Sequence, residues 1–270
     1  MNRILLKLFA LVAEAFGDKK SAAEFRWRVK VLQTLGEVMG PYRRGDYETA
    51  LKAAEGFKRD GQITRSYCFY RGSMLERLGR LEEAEKWLRR HIDLAEQEEN
   101  RRYVAIGHSK LGNLLVQAGR YQEAKQCFER SMRHFPGRSS GYRNMAELCL
   151  VRGDRPAEAV RWAKLAMERE QADRMSAELR RLNTGEILAT QAWATAAETH
   201  NIGEVTALVA QARASVGTSD MSSTALVEYQ SGRAFAELGD KRRAVEHYEA
   251  AAKLDPQGRW GRAARAAISG

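Results

Sequence analysis

A glycine-centred turn signal recurs along this chain of 270 residues, and its spacing constrains the fold more than any other feature. The glycines are Gly45, Gly79, Gly119, Gly153 and Gly239, and an alanine follows each of them within six residues. The steps between them are 34, 40, 34 and 86 residues. A period of 34 residues is typical of stacked helical hairpins. The longest step leaves room for one degenerate hairpin near His200.

Residues 105–138 contain the clearest copy of the repeated unit. Gly112 and Ala124 are small where two antiparallel helices must approach closely, and Phe128 has the size to fill the space between neighbouring hairpins. Pro136 stops the second helix because proline lacks the backbone N–H that the next turn needs. The same residue types at the same spacing recur in residues 225–258.

These positions resemble the tetratricopeptide-repeat family, in which a leucine–glycine pair precedes the turn and an alanine, an aromatic residue and a proline follow it. The family tryptophan at the first signature position is absent from the copies of this chain. The resemblance implies an all-α, right-handed superhelical solenoid of antiparallel helix pairs. The six predicted repeats are residues 31–64, 65–98, 105–138, 139–172, a degenerate copy at 186–219, and 225–258.

Residues 1–30 precede the repeats and are predicted to form an amphipathic helix and a capping segment. Leu5, Leu8, Val12, Ala15 and Phe16 share one apolar face, which is predicted to cover the end of the stack. An export signal and a membrane-surface anchor are the alternatives for residues 1–16. Residues 24–32 alternate apolar and basic side chains as a strand does, but a lone strand would have no partner, so a helix is predicted.

Residues 259–270 follow the repeats and are predicted to form a C-terminal capping helix. Arg259, Arg262 and Arg265 are expected to form its polar outer face, while Trp260 and Ile268 pack inward.

The charge of the chain is uneven, and the pattern argues against nucleic-acid binding. Residues 1–138 carry 27 Lys and Arg against 18 Asp and Glu, a net charge of +9, while residues 139–270 carry 18 against 17, a net charge of +1. The basic residues alternate with acidic ones, as on a solvated helix face with ion pairs four residues apart. The sequence therefore favours a protein partner of acidic or mixed charge.

Motifs for catalysis, cofactors and metals are not found in the sequence. It has no phosphate-binding glycine loop, dinucleotide fingerprint, HExxH helix or nucleophile elbow. The five histidines are scattered singly, and three distant cysteines, Cys68, Cys127 and Cys149, are typical of buried thiols in a reducing compartment. We therefore expect no enzymatic activity, no cofactor, no metal and a cytoplasmic location.

The family resemblance further implies that the first helix of each hairpin lines a concave, peptide-binding groove. Asparagine amides there can bond a peptide backbone, and lysine or arginine can bind a carboxylate. The candidate groove residues are Phe69, Tyr70, Ser73, Ser109, Lys110, Asn113, Arg143, Asn144, Glu147, Tyr229 and Arg233. The function expected is a non-catalytic interaction scaffold for a peptide or protein segment. The alternative is a membrane-surface-associated or exported assembly factor that uses residues 1–16.

Overall fold

The computed structural model describes residues 3–172, 176–218 and 220–269, which form α-helices joined by short turns. Within these residues the strand-like pairing is limited to one isolated bridge, Arg59 with Gln62. The helices are α1 (Arg3–Ala15), α2 (Lys19–Arg43), α3 (Tyr47–Ala53), α4 (Arg65–Arg77), α5 (Leu81–Gln97), α6 (Arg101–Gln117), α7 (Tyr121–His134), α8 (Ser139–Arg152), α9 (Pro156–Ala172), α10 (Ala177–Thr199), α11 (Ile202–Val216), α12 (Met221–Glu237), α13 (Lys241–Leu254) and α14 (Arg259–Ser269). A 3-10 turn at Ala54–Phe57 continues α3. The predicted all-α solenoid is confirmed.

Each hairpin pairs an inner helix with the outer helix that follows it, as in α4 with α5 and α6 with α7. The five turn glycines named above all have a left-handed backbone, with φ between 71° and 80°. Glycine adopts this conformation without a steric penalty, which explains why it marks the turns. The degenerate pair α10 and α11 uses His200 instead, at a φ of 54°.

The small residues of the repeat pattern sit at close helix crossings, as the sequence predicts. A Cβ atom on Gly232 would lie 2.6 Å from the Tyr248 ring, and one on Gly72 would lie 3.0 Å from Leu88. A Cβ atom on Gly112 would likewise clash with the ring of Phe128. An aromatic or leucine side chain on the outer helix therefore fills the space that glycine leaves on the inner helix.

The core is a layer of apolar side chains between the inner and outer helices. Three clusters of buried residues adjoin one another, because Trp162 packs against the first two and Tyr229 against the last two. The largest fully buried side chains include Trp193, Tyr47, Phe57, Phe128, Phe235 and Leu88. Each hairpin thus buries its apolar face against its neighbours, as solenoids require.

The N-terminal helix exists as predicted, but its apolar face points the other way. α1 packs on α2 through Leu6 and Ala10, which are 2% and 5% exposed. Leu8 and Val12 of the predicted covering face are each 52% exposed. Leu5, Ala15 and Phe16 are exposed as well, so the prediction that this face covers the stack is wrong. Leu6 and Ala10 pack against α2 together with Phe9, whose ring stacks on Phe25 at 5.6 Å, and the broader face remains exposed.

Residues 24–32 lie inside α2, so the helix prediction for the alternating segment is confirmed. Among the described residues, no helix combines the length and hydropathy that crossing a bilayer requires.

The C-terminal helix α14 is present, but it is not the polar cap that the sequence predicts. Trp260 is buried at 3% exposure, as expected, whereas Ile268 is 40% exposed. The Arg259 side chain is only 12% exposed and points into the superhelix, so its assignment to an outer face is wrong. Arg259 turns inward because two buried carboxylates lie there, as described below.

Candidate binding groove

The inner helices of the solenoid line two separate cavities along one concave surface. On α6, Ile106 lines the first cavity while Lys110 and Asn113 line the second. These residues are four and three positions apart, so they lie on one helix face. We name the first cavity the aromatic pocket and the second the charged chamber.

The aromatic pocket lies between α2, α4 and α6 and has a volume of about 300 Å³. Its wall is mostly apolar and aromatic. The lining residues are Val31, Leu35, Phe57, Arg65, Ser66, Phe69, Tyr70, His91, Tyr103 and Ile106. A concave apolar cavity with a few polar groups is the usual form of a binding site for a side chain or small molecule.

Ring contacts hold the wall of the aromatic pocket in place. Phe57 and Tyr70 stack with their centroids 4.6 Å apart, and Phe69 lies 5.2 Å from the ring of His91. The Arg65 guanidinium lies 3.4 Å from the centroid of Tyr103. Burial raises the pKa of Tyr70 to about 12, so its hydroxyl is neutral at physiological pH.

His91 forms part of the pocket wall and is almost fully buried. Its Nδ1 lies 3.1 Å from the carbonyl oxygen of Arg65, and its Nε2 lies 3.1 Å from that of Tyr103. Burial lowers the pKa of His91 although both carbonyls favour its protonated form. A neutral imidazole donates through one ring nitrogen only, so it can hydrogen-bond to only one of these two carbonyl oxygens at a time.

The aromatic pocket adjoins a wider, open cleft of about 720 Å³. The two cavities share Val31, Arg65, Ser66 and Tyr103, so they form one continuous opening on the molecular surface. Leu6 of α1 lines the far side of the cleft. Its charged residues are paired with each other, for example Arg59 with Glu24 at 2.9 Å and Arg65 with Glu98 at 2.7 Å.

The charged chamber lies further along the same inner helices and has a volume of about 150 Å³. Acidic and basic side chains from most of the inner helices converge on it. The lining residues are Tyr42, Glu76, Arg77, Lys110, Asn113, Arg143, Glu147, Glu186, Asp220, Ser223, Leu226, Arg259 and Trp260.

Arg259 enters the charged chamber from α14 and binds its carboxylates. Its Nη2 donates to Glu147 Oε1 at 2.9 Å, and its Nη1 lies 3.9 Å from Glu76 Oε1. Its guanidinium also lies 4.1 Å from the ring of Trp260. Glu76 and Glu147 are 4% and 6% exposed, so these charges have little access to water.

Glu76 shows how the chamber keeps a buried carboxyl charged. Burial alone would raise its pKa, but the positive charges of Arg77, Arg259 and Lys110 outweigh burial and lower it. Gln117 also donates a hydrogen bond to Glu76. A partner on each side therefore stabilises the ionised form.

The C-terminal segment, residues 255–262, closes this half of the groove by contacting the N-terminal hairpins. Tyr47 Oη donates to Asp255 Oδ1 at 2.8 Å, and Arg262 Nη1 donates to the carbonyl oxygen of Arg77 at 2.9 Å. Asp255 also accepts the Trp260 backbone N–H at 3.1 Å. The chain's own C-terminal segment thus occupies the charged half of the groove.

The predicted groove residues fall into three groups. Phe69 and Tyr70 line the aromatic pocket, and Lys110, Asn113, Arg143 and Glu147 line the charged chamber. Ser73, Ser109 and Asn144 are buried between helices and line neither cavity, and the Asn144 amide donates to Ser109 Oγ at 2.9 Å. Tyr229 and Arg233 lie apart from both, with Tyr229 against Trp260 and Arg233 4.3 Å from the Trp193 ring.

Sequence reasoning missed several residues that shape the two cavities. Val31 and Leu35 lie at the start of the copy at residues 31–64, which matches the repeat pattern poorly, and Tyr103 precedes the start of its copy by two residues. Glu76 and Arg77 line the charged chamber but are absent from the predicted set, and Arg259 was assigned to the opposite surface. Helical spacing could have indicated them, because Val31 and Leu35 are four residues apart on α2 and Tyr103 lies three residues before Ile106 on α6.

No three His, Cys, Asp or Glu side chains are placed to hold a metal ion in residues 3–172, 176–218 and 220–269.

Family models described as tetratricopeptide repeat match three stretches of the chain. The stretches are residues 63–137, 109–173 and 229–257. Together they cover four of the six predicted repeats. Among curated proteins no relative matches this chain.

Solved structures with a similar fold include two at low sequence identity. A tetratricopeptide repeat protein from Parabacteroides merdae is 17% identical with a TM-score of 0.55, and the match covers 93% of each chain. Yeast Tom70 is 18% identical with a TM-score of 0.51, and the match covers 99% of this chain and 54% of Tom70. At these identities the similarity concerns the fold.

Proposed function

The chain belongs to the tetratricopeptide-repeat family, and from this premise we propose that it is a protein–protein interaction scaffold that binds a peptide or protein segment in its groove. One observation indicates which of the two cavities binds the partner. The aromatic pocket is open to solvent through the adjoining cleft, whereas the charged chamber is smaller and Arg259 and Trp260 of the C-terminal segment form part of its wall. We therefore assign the partner to the aromatic pocket and its cleft.

The chemistry of this opening indicates what the partner presents. An apolar side chain suits the pocket, because Phe57, Phe69 and Ile106 offer it little hydrogen bonding. Arg65 and Glu98 at the rim can meet opposite charges on flanking residues. The proposed partner segment therefore combines an apolar anchor with flanking charges of mixed or acidic character, and binding requires no catalytic step.

The experiment blocks the pocket with a larger side chain rather than shortening the side chains of its wall. Ser66 lies at the mouth shared by pocket and cleft, so Ser66→Trp should block the opening while leaving the core unchanged. The matched control is Ser140→Trp, at the equivalent position of another inner helix. Partners are captured from lysate by cross-linking, identified by mass spectrometry and then titrated as purified segments.

We expect wild type and Ser140→Trp to bind the same segment and Ser66→Trp to lose it. Circular dichroism establishes that all three proteins are equally helical. Equal binding by all three would remove the aromatic pocket as the site and leave the groove proposal without support.

The alternative function, attachment to a membrane surface through residues 1–16, is favoured by a separate observation. The apolar face of α1 points away from the solenoid and is exposed.

For location we propose the cytoplasm, since Cys68, Cys127 and Cys149 are free, buried thiols. Fractionation into soluble and membrane pools, for the full chain and for a chain without residues 1–16, tests the location and the attachment together.

A further inference from the structure

The helix α1 carries more exposed large apolar side chains than any other helix of the described residues, and most of them lie on its outward face. The outward face comprises Leu5, Leu8, Leu11, Val12, Ala15 and Phe16. Leu11 is 63% exposed and Phe16 is 86% exposed. At about 100° per residue these side chains fall within an arc of about 140°. The whole side of the helix that faces away from α2 is therefore apolar.

Exposed apolar residues elsewhere in the described chain are isolated. Leu179, Ile202 and Val245, for instance, stand singly on α10, α11 and α13. Single exposed apolar residues are ordinary on soluble proteins, but a contiguous apolar patch marks an interaction surface. The concentration on one short helix therefore needs a partner that the solenoid itself does not provide.

Positive charge lies along one border of this face and beyond its C-terminal end. Arg3 and Lys7 lie along one border of α1, and Lys19 and Lys20 are exposed at the start of α2. Residues 3–30 carry seven Lys and Arg against three Asp and Glu, a net charge of +4. Glu14, the one acidic residue of α1, is paired with Arg26 at 2.8 Å. The border of the apolar face thus attracts anions.

We propose that α1 binds an anionic lipid surface, lying in its plane with the outward face in the acyl boundary and the lysines among the headgroups. This inference rests on the attachment alternative proposed above and is independent of the groove. A 13-residue helix is about 20 Å long and cannot cross a hydrocarbon core of about 30 Å, so α1 lies along the surface.

A second copy of the chain is the main competing occupant, and the charges disfavour it. In a two-fold dimer the same patch meets itself, so Arg3, Lys7, Lys19 and Lys20 of one copy would approach those of the other. Like charges at a contact repel, whereas an anionic headgroup layer neutralises them.

The proposed orientation places the groove near the membrane. Leu6, on the side of α1 that faces the solenoid, lines the cleft that leads to the aromatic pocket. A lipid surface on the outward face would lie roughly one helix diameter, about 10 Å, from that cleft. A partner segment at a membrane surface would then be within reach of the opening.

The experiment measures co-sedimentation of the full chain with vesicles. One preparation is phosphatidylcholine alone, and the other replaces part of it with phosphatidylserine. We compare wild type with Leu8→Gln/Val12→Gln, which removes two exposed apolar side chains without changing charge. The matched control is Leu179→Gln/Ile202→Gln, which does the same on α10 and α11.

We expect wild type and the control to bind phosphatidylserine vesicles, and Leu8→Gln/Val12→Gln to bind about a hundredfold more weakly, roughly tenfold for each side chain. Lys19→Gln/Lys20→Gln should weaken binding by roughly fivefold per lysine, and less in high salt. Lys241→Gln/Lys253→Gln, on α13, controls for net charge and should have no effect.

Three results would overturn the proposal, and each has a distinct meaning. Equal binding to both vesicle types would contradict the preference for anionic lipid but not the attachment to a membrane surface. Binding to neither vesicle type would contradict the preference and the attachment alike. A dimer in sedimentation velocity that Leu8→Gln/Val12→Gln dissociates, without vesicle binding, assigns the face to a second copy. Ser66→Trp should leave vesicle binding unchanged, so failure here is separable from failure of the groove.

Discussion

The aromatic pocket and the charged chamber lie on the same inner helices, yet one is open and the other is closed. The difference follows from what lines them. An apolar pocket can remain open at modest free energy, because its wall has few hydrogen-bonding groups to satisfy. Buried carboxylates such as Glu76 and Glu147 need a cation beside them, and the chain supplies Arg259.

The comparison teaches that a concave surface of this fold is not uniformly available to a partner. The charged half holds the two ends of the superhelix together, through Tyr47 with Asp255 and Arg262 with Arg77. Among the described residues, those that line the aromatic pocket make no such long-range contact, and this is the half that we propose binds a partner. Each variant below tests whether stability depends more on the charged half than on the aromatic half.

The largest loss of stability is expected from Trp260→Ala. Trp260 is buried beneath the chamber against Leu226 and Tyr229, so its removal leaves a cavity and costs about 4 kcal/mol of unfolding free energy. Phe69→Ala, in the half-exposed pocket wall, should cost about half of that. Urea unfolding measures both, and small-angle scattering should show a larger radius of gyration for Trp260→Ala alone. Equal costs would remove the distinction between the halves.

Glu147→Gln tests the charge pairing of the chamber with little change of shape. Arg259 and Arg143 would lose a buried counter-charge, so we expect a loss of about 3 kcal/mol. The control is Glu83→Gln, whose exposed pair with Arg80 is screened by water and should contribute little to stability. If both variants unfold at the same urea concentration, water already screens the chamber and its closure has another cause.

Tyr47→Phe tests the contact between the ends of the superhelix. It removes one buried hydrogen bond to Asp255 and should cost about 2 kcal/mol in thermal or urea unfolding. Tyr142→Phe is the control, because its hydroxyl donates to the carbonyl of Pro136 at the surface. A Tyr47→Phe protein as stable as the control would mean that packing of Trp260 alone closes the groove.

The sequence predicts contacts between residues that are close along the chain. It does not predict contacts that form only because the superhelix curves. The turn glycines and the pairing of Gly112 with Phe128 are local, since each follows from one hairpin. Arg259 lies 112 residues from Glu147, and the two meet only because the superhelix brings its ends together. No repeat pattern specifies that meeting.

The periodicity of α1 shows a second limit. It correctly identifies an apolar face, but it does not say whether that face turns toward α2 or away from it. The structure packs the helix through Leu6 and Ala10 instead, because one small residue and one leucine fit against α2.

For the aromatic pocket, the family resemblance indicated Phe69 and Tyr70, whereas Val31 and Leu35 come from a helix whose repeat pattern is weak.

The smallest expected effect is a pH dependence that separates the two halves. The pKa of His91 in the pocket wall lies below the ordinary value of 6.5 because burial disfavours its charged form. Its contribution to stability is therefore complete above pH 6.5 and is lost as the pH falls below that value. The pKa of Glu76 in the chamber lies below 4.5, so its contribution is lost only as the pH falls below 4.5.

Between pH 6.5 and 4.5 we expect wild type to lose more stability than His91→Gln in urea unfolding. Parallel losses would show that protonation of His91 is accommodated by the carbonyls of Arg65 and Tyr103, and that the pocket wall is less dry than its burial indicates.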